Sequence, residues 1–288
     1  TLPSNIKTIG ISAFASCTNL KGTLAIPDTV TLINDSAFSE CGNFTALYLS
    51  NNLEKIGSQA FSNCYAFTNE LIIPRSLTTI GEKAFNWCKG LTGSVDLSNI
   101  KSLGKLAFYC CTGLNGQVTL PNDVNFTSVP SSLFYGCSNL NGDLIIPEGV
   151  TTISEYAFFG CQKINSYKLP STLKSIEKQA FYNCNSVAGD LIIPEGVTTI
   201  GDSAFSLNSK ITSITLPSTL TSIGNGSFSS LTNVSGTITV PVGVLPSAIG
   251  TNVFLNMGKS TLVKPVLYLP EACRPNVYAF PYTVEYYS

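Results

Sequence analysis

The stretch Leu191–Phe205, LIIPEGVTTIGDSAF, decides how the rest of this chain is interpreted. Its near copy is Leu144–Phe158, LIIPEGVTTISEYAF, and looser copies occupy Leu24–Phe38, Leu71–Phe85 and Ile214–Phe228. Each copy holds a short apolar run that ends at Pro, a second run that ends in Ile, and a Phe that usually follows Ala. One copy is too short to bury its own apolar side chains, so the copies must stack and share a core. The sequence therefore predicts a repeat solenoid.

The repeat Phe sets the period of the stack, because successive members stand 23, 24 or 26 positions apart. Within a turn, strand alternation points Ile145 outward and its two neighbours inward. Residues 150–153 form a second short extended piece, and residues 154–161 suit a tight helical or 3-10 turn. The repeat Phe residues, which we assign to the core, are Phe14, Phe38, Phe61, Phe85, Phe108, Phe134, Phe158, Phe181, Phe205, Phe228 and Phe254.

The composition excludes several classes of function. Charged residues make up 11% of the 288 residues, well below the roughly 25% of typical soluble domains. With 16 basic and 17 acidic residues the net charge is -1, which offers no electrostatic basis for binding nucleic acid or anionic membranes. No apolar run is long enough to span a bilayer. The chain has no His, the commonest general base and metal ligand. We predict no nucleic-acid partner, no membrane insertion, no metal and no cofactor.

The pattern L-x-IP-x-x-V-T-x-I-G-x-x-AF-x-x-C-x-x-L resembles the BspA-type leucine-rich repeat of surface proteins from anaerobic bacteria and some parasitic protists. The resemblance runs from Leu2 to about Leu269, and the chain departs from it where Asn208, Leu231 and Met257 replace Cys. It implies a leucine-rich-repeat solenoid, a right-handed superhelix with a concave parallel β-sheet, and short strands and 3-10 or helical turns on the other arcs. It also implies an extracellular or cell-surface location, since some members are reported as adhesins for host matrix or plasma proteins.

The domain organisation follows from the repeat. We predict one solenoid of about eleven turns over residues 1–270 and a Tyr-rich C-terminal cap over residues 271–288. The opening TLPSNIKTIG matches the second half of a unit, such as LPSTLTSIG at Leu216–Gly224. We therefore expect that the chain starts inside a repeat and that an upstream segment has been removed.

Eight of the ten cysteines stand three residues after a repeat Phe and so form a row along the solenoid. A metal site needs ligands that converge within about 2.3 Å of one point, and a parallel row does not converge. Thiols one layer apart approach disulfide distance, but their parallel direction disfavours the bond. We interpret the row as buried free thiols that act as small hydrophobes and weak donors to the backbone. For Cys110 and Cys273, which lie outside the row, both states remain open.

The outward strand positions vary in size and charge, whereas the core positions are nearly uniform. We name these positions the outward row: Ala25, Tyr48, Ile72, Asp96, Thr119, Ile145, Lys168, Ile192, Thr215, Thr239 and Tyr268. Exposed apolar side chains on a solvated sheet are typical of a protein-binding surface, although β-branched residues also simply suit strands. The predicted ligand-binding residues are Tyr48, Ile72, Asp96, Ile145, Lys168 and Ile192, with the two charged residues tuning orientation.

The sequence shows no catalytic motif in a supporting context: no nucleophile elbow, phosphate loop or metal-ligand helix. The pairs Asp143 with Glu148 and Asp190 with Glu195 permit a glycosidase-like reading. Duplication explains these pairs more simply, as solvated rim residues. We predict that the chain is not an enzyme.

Three hypotheses for function remain open. The first is a secreted or surface-anchored adhesion module whose partner is an extracellular or host protein, such as a matrix or plasma glycoprotein. The second is a structural spacer that holds another domain of a larger surface protein. The third is a carbohydrate-binding module, which is weaker because Tyr48 and Tyr268 stand far apart in the sequence.

Overall fold

The protein is described here by a computed structural model that covers residues 2–262, 264–272 and 283–287. Within those ranges the chain consists of short strands and tight turns, with a 3-10 helix at Pro246–Ala248 and 3-10 conformation at residues 271–272. In chain order the strands are β1 (Thr8–Ile9), β2 (Gly22–Ala25), β3 (Leu32–Ile33), β4 (Phe44–Tyr48), β5 (Lys55–Ile56), β6 (Thr79–Ile80), β7 (Val95–Asp96), β8 (Ser102–Leu103), β9 (Val118–Thr119), β10 (Ser128–Val129), β11 (Asn141–Ile145), β12 (Thr152–Ile153), β13 (Lys163–Lys168), β14 (Ser175–Ile176), β15 (Gly189–Ile192), β16 (Thr199–Ile200), β17 (Ile211–Thr215), β18 (Ser222–Ile223), β19 (Thr237–Thr239), β20 (Val266–Pro270) and β21 (Thr283–Tyr287).

The chain divides into two compact units. The first unit contains Thr1–Phe126 and Pro130–Leu144, and the second contains Thr127–Val129 and Ile145–Ser288. All strand pairs within each unit that the structure describes are parallel. The predicted leucine-rich-repeat solenoid of parallel strands is therefore confirmed.

Each unit contains one continuous sheet, made of two-residue strands. In the first unit the order is β1-β3-β5-β6-β8, and in the second it is β10-β12-β14-β16-β18. The second residue of each strand is an apolar residue that points inward, as Ile33 and Ile56 do, both with no exposed surface. These strands are the second extended piece of each repeat, so the most regular ladder runs through the T-I part of the motif.

The strands that carry the outward row form smaller pieces. In the first unit β2 pairs with β4 and β7 pairs with β9, while in the second unit β15 pairs with β17 and β19-β20-β21 form a three-stranded sheet. The sheet predicted for this side of the repeat is thus interrupted within each unit. The number of residues between the repeat Phe and the outward row differs between turns. Tyr48 lies ten residues after its repeat Phe, and Ala25 lies eleven residues after its own. The register accordingly shifts between Gly22 and Thr23.

The arc around each repeat Phe consists of tight turns rather than a continuous helix. The N–H groups of Ser36, Phe38 and Glu40 donate to carbonyls of the following turn over 2.7–2.8 Å, whereas the N–H groups between them donate three residues back. Ser36 and Glu40 have φ values of 55° and 63°, in the left-handed region that non-glycine residues seldom adopt. These two residues aim alternate N–H groups at the neighbouring turn, which a 3-10 helix does not allow. We call this segment of each turn the Phe arc.

The repeat Phe rings form the core of each unit, as predicted. From Phe14 to Phe134 in the first unit, neighbouring ring centroids lie 5.1–5.5 Å apart with planes within 11° of parallel. From Phe158 to Phe254 in the second unit, the centroids lie 5.3–5.9 Å apart. Such offset stacking adds about 0.5–1.5 kcal/mol per pair to the burial of the rings.

The Gly after the T-I strand allows adjacent turns to approach closely. A Cβ at Gly81 would lie 2.4 Å from the Ser58 nitrogen, and one at Gly201 would lie 2.5 Å from the Lys178 nitrogen. No real Cβ comes that close to backbone, so a side chain at these positions would push the turns apart. The Gly of the I-G dipeptide is therefore needed for close contact between adjacent turns and does not indicate a ligand site.

The departures from the Cys pattern have a packing explanation. Asn208, fully buried, donates from Nδ2 to the carbonyls of Phe181 and Phe205 over 2.8 and 2.7 Å. Its Oδ1 accepts the hydroxyl of Tyr167 over 3.0 Å. Tyr167 stands at a strand position that is Leu in the neighbouring copies, so the Asn serves both the carbonyls that Cys would meet and the extra hydroxyl. Leu231 and Met257 are buried and apolar.

The predicted C-terminal cap is only partly described. Strand β21 pairs with β20 over five residues, from Val266 with Thr283 to Pro270 with Tyr287. Residues 273–282, including Cys273, lie outside the described ranges. The cap over 271–288 therefore stays a prediction.

Candidate binding face

The outward row is exposed, as alternation predicted. Ile72 is 69% exposed, Ile192 62%, Tyr48 54% and Ile145 47%, whereas the neighbouring inward residues Leu71 and Leu191 are 2% and 3% exposed. Burying apolar surface is favourable by about 25 cal/mol per Å². Covering these exposed side chains would therefore gain free energy that folding alone does not.

The six predicted site residues divide between the two units. Tyr48, Ile72 and Asp96 belong to the first unit, and Ile145, Lys168 and Ile192 belong to the second. The structure therefore describes two trios, each on its own unit, rather than one common site.

In the first unit, Tyr48 and Ile72 line the same depression. Its other walls include Ile26, Leu49 and Pro74. The backbone ladder is broken at this point, because Asn69 inserts its amide. Nδ2 of Asn69 donates to the Leu47 carbonyl over 2.8 Å, and Oδ1 accepts the Leu47 N–H over 2.9 Å.

Asp96 stands next along the row in the same unit. Its Oδ1 accepts the Ser98 N–H over 3.0 Å, an Asx-turn that holds the carboxylate beside its own strand. The residue pairs with Thr119 across β7 and β9. Asp96 is not among the residues that line the Tyr48–Ile72 depression, so its orienting role stays a prediction.

In the second unit, Lys168 stands between the two isoleucines. The N–H of Ile146 donates to the Lys168 carbonyl over 3.0 Å, which sets Ile145 and Lys168 on adjacent turns. Ile192 follows on the next turn and pairs with Thr215. Two exposed isoleucines therefore flank one cation, spaced by about 4.8 Å per turn.

The cysteine row is structural. Within the first unit Cys41, Cys64 and Cys88 donate from Sγ to the Phe carbonyls of the preceding turns over 2.9–3.1 Å. In the second unit Cys184 does the same to the Phe158 carbonyl, and burial raises the pKa of its thiol to about 12. All nine cysteines of the described ranges are free. Because thiolates are the reactive form, raised pKa values make the buried members inert, which confirms their prediction as small hydrophobes and weak donors.

Cys110, left open by its position, is half-buried beside Tyr109. Burial is the largest influence on its thiol and raises the pKa, although the nearby Lys89 acts in the opposite direction. The residue has a left-handed φ of 56° on the Phe arc. Cys110 thus occupies one of the two left-handed positions that every Phe arc contains.

The carboxylates that resembled catalytic pairs act as acceptors for the next turn. Glu148 accepts the N–H and hydroxyl of Ser171 over 3.1 and 3.0 Å, and Glu195 accepts those of Ser218 over 3.0 Å each. These hydrogen bonds lower the pKa of both carboxyls. Asp190 accepts the Ser213 hydroxyl. An acid catalyst requires a raised pKa, so Glu148 and Glu195 are tuned in the wrong direction for that role.

An aromatic stripe on the Phe arc escaped the sequence analysis. In the first unit Trp87, Tyr109 and Tyr135 stand side by side, with ring centroids 6.1 and 4.6 Å apart. In the second unit Phe159 and Tyr182 stack at 4.8 Å. The signal was an aromatic residue directly after the repeat Phe in four turns, Phe108, Phe134, Phe158 and Phe181.

Part of the ring surface of this stripe is covered by neighbouring side chains. Tyr109 and Tyr135 lie within 11° of parallel, so each covers a face of the other. Lys89 Nζ lies 4.4 Å from the Trp87 ring centroid and covers a face of the indole. The stripe therefore packs against itself.

The described residues hold neither a cluster of metal ligands nor a membrane-spanning helix. Within those ranges, no group of three or more His, Cys, Asp or Glu side chains is arranged to hold a metal ion. Nor does any helix in the described chain have the length and apolar character to cross a membrane.

The chain matches known proteins in its repeat. The family model described as BspA type Leucine rich repeat region, in six copies, matches residues 1–115, 66–142 and 127–261. No curated protein matches the chain significantly.

Solved structures resemble the fold at low sequence identity. A leucine-rich repeat protein from Bacteroides ovatus is 21% identical, with a TM-score of 0.55 over 98% of this chain and 88% of its own. A leucine rich cell surface protein from Faecalibacterium prausnitzii is 20% identical, with a TM-score of 0.58 over 100% and 87%. The pneumococcal vaccine antigen PcpA is 17% identical, with a TM-score of 0.52 over 100% and 88%. At such identities the likeness concerns the fold.

Proposed function

Because the chain belongs to the BspA-type leucine-rich repeat family, we propose that it is a non-catalytic, extracellular or cell-surface module that binds a protein through its outward row. The observation that carries this proposal is a set of large apolar side chains exposed to water on the outward row: Tyr48, Ile145 and Ile192 on strands, and Ile72 close to the isolated bridge at Glu70. The name of the Faecalibacterium relative, a leucine rich cell surface protein, supports the location.

The chemistry of the row suits a protein partner better than a sugar. Apolar side chains with scattered charges resemble the centre and rim of a protein interface. Within the described ranges, the aromatic rings that cluster lie on the Phe arc and cover one another. A matrix or plasma glycoprotein, bound through its polypeptide, is the proposed partner class.

The test is direct binding of the chain to an immobilised panel of matrix and plasma glycoproteins. The variants are Ile72→Thr in the first unit and the double variant Ile145→Thr/Ile192→Thr in the second. Thr occupies the outward row naturally at Thr119 and Thr215, so these changes remove apolar surface without disturbing the strands. Matched controls are Val124→Thr and Val242→Thr, which alter side chains that are 90% and 67% exposed but lie outside the strands.

We expect saturable binding that an outward-row variant weakens about tenfold or more, as interface centres do, while both controls bind normally. Equal losses in the controls would contradict a site on the outward row. Absence of binding across the panel would favour the spacer hypothesis, in which the repeats only hold another domain at a distance.

A further inference from the structure

We propose that the depression of the first unit between Tyr48 and Ile72 receives a lysine or arginine side chain of the partner. This inference rests on the proposed function, because it names the chemistry that one part of the outward row recognises. A lysine or arginine joins a long alkyl stem to a cation, and the depression joins apolar walls to two acidic residues, Asp28 and Glu70, that form no ion pair in the described chain.

The apolar half of the depression fits the stem. Tyr48 and Ile72 are more than half exposed and line the depression together with Ile26 and Pro74. The break in the ladder opens the space between their turns. In the preceding pair of turns the Ile26 N–H donates to the Tyr48 carbonyl, but within the described chain the equivalent Leu49 N–H has no partner in the next turn. Alkyl stems of basic residues pack readily along such apolar surface, and the Tyr48 ring adds a cation–π contribution.

The acidic half of the depression fits the cation. Glu70 also lines it, and within the described ranges its carboxylate accepts no hydrogen bond and forms no ion pair. A Cβ at Gly93 would lie 2.3 Å from Glu70 Cγ, so the absent side chain of Gly93 leaves room for the Glu70 side chain over the next turn. That position directs Glu70 toward the side of the row where Asp96 stands.

The local charge pattern excludes an acidic occupant. Among the outward positions of the first unit, Thr23, Ala46, Ser94 and Gln117 beside the outward row carry no charge, and no lysine or arginine occupies the row there. The nearest cation along the chain is Arg75, which follows Pro74 and lies beyond the strand position. Asp28 and Glu70 both line the depression and form no ion pair in the described chain. Together they attract a basic side chain and repel an aspartate or glutamate.

The experiment titrates the ¹⁵N-labelled chain with a blocked pentapeptide, Gly-Ala-Lys-Ala-Gly, and follows amide chemical shifts. The matched control peptide carries Nε-acetyl-lysine, which keeps the stem and removes the charge. The protein variants are Glu70→Gln, which is isosteric and neutral, Tyr48→Phe, which keeps the ring, and Tyr48→Thr, which removes it. Glu54→Gln is the control variant, since Glu54 is an exposed carboxylate of the same unit beside β5 rather than on the outward row.

We expect saturable shifts around Tyr48 and Ile72 with the lysine peptide and none with the acetylated one. Glu70→Gln and Tyr48→Thr should each weaken binding about three- to tenfold, as partly solvated ion pairs and cation–π contacts do, while Tyr48→Phe and Glu54→Gln stay within about twofold.

Three results would overturn the proposal: no shifts, equal shifts with the acetylated peptide, or equal losses for Glu54→Gln and Glu70→Gln. The glycoprotein panel separates this failure from that of the proposed function. If a panel member binds and Ile72→Thr weakens it while the lysine peptide leaves the spectrum unchanged, the face binds protein by other chemistry. If neither binds, both proposals fail.

Discussion

On the Phe arc, every turn places the same ring in the same stack, and two left-handed residues flank that ring. On the outward row of the same turns, isoleucine, aspartate, lysine and threonine follow one another without a rule. The Phe arc bonds each turn to the next through the backbone, whereas the ladder beneath the outward row is interrupted. Together with the continuous ladder of the T-I strands, the Phe arc holds adjacent turns of each unit together, which leaves the outward row free to vary.

The sharpest test of this contrast is the loss of one ring from the stack. Phe181→Ala should destabilise the protein by about 3–5 kcal/mol, because it opens a cavity between two stacked neighbours, Phe158 and Phe205. Phe14→Ala should cost less, since Phe14 is only half-buried. Urea unfolding followed by circular dichroism measures both. Equal losses of stability in the two variants would mean that a ring stacked on two sides stabilises the fold no more than a ring stacked on one side.

A second test concerns Asn208, the polar residue that replaces a Cys of the pattern. Asn208→Ala should cost about 1–3 kcal/mol, because it leaves the Tyr167 hydroxyl and two Phe carbonyls buried without that partner. The double variant Tyr167→Leu/Asn208→Cys restores the residue types of the neighbouring copies and should cost less than the sum of its single changes. Thermal melts of the full cycle report the coupling. Strict additivity would show that the two residues are independent.

A third, smaller effect is the pH dependence of stability that arises from Glu195. Hydrogen bonds from Ser218 hold the pKa of Glu195 below its ordinary value of 4.5. The ionised form is therefore favoured in the folded state, so its stabilisation is present above that value and is lost as pH falls through the lowered pKa. The melting temperature of Glu195→Gln should lie below that of the parent near neutral pH and converge with it as the pH falls through the lowered pKa of Glu195. A difference that persists in acid would assign the effect to packing.

The smallest effect should come from the outward row. Ile192→Thr should change stability by no more than about 0.5 kcal/mol, because surface substitutions of this kind seldom do more. The adjacent Ile193→Thr, which puts a hydroxyl at a site only 2% exposed, should cost about 1–3 kcal/mol. Chemical denaturation of the two variants side by side gives the comparison. Similar losses would show that the outward row supports the fold after all.

Periodicity predicted those features that recur in every turn. The inward and outward assignment of Ile145 and its neighbours, the Phe core and the role of the Cys row all follow from spacing, since each is imposed by the same neighbours in each layer. The conformation of the Phe arc did not follow, because left-handed residues such as Glu40 and Trp87 carry no glycine signal. The broken ladder was also hidden, since it depends on a one-residue difference in arc length and on a single amide, that of Asn69.

The candidate site was predicted as single positions, and their grouping needed coordinates. The sequence places Tyr48 and Ile72 one turn apart, but nothing in it marks the depression that they share. Glu70 was not predicted as a site residue, because nothing in the sequence marks that it lines the same depression as Tyr48 and Ile72. The aromatic stripe was predictable from the aromatic residue that follows the repeat Phe in four turns. Its use as a sugar-binding platform is disfavoured because its rings pack against one another.

The alternating N–H groups of the Phe arc also govern how the protein would respond to mechanical tension. A chain pulled from its ends loads the outermost turn first, and that turn detaches by losing its bonds to one neighbour only. Each detachment releases one repeat of 23 to 26 residues, or about 80 Å of extended chain at 3.3–3.6 Å per residue. Such a chain dissipates work in many small steps instead of one rupture.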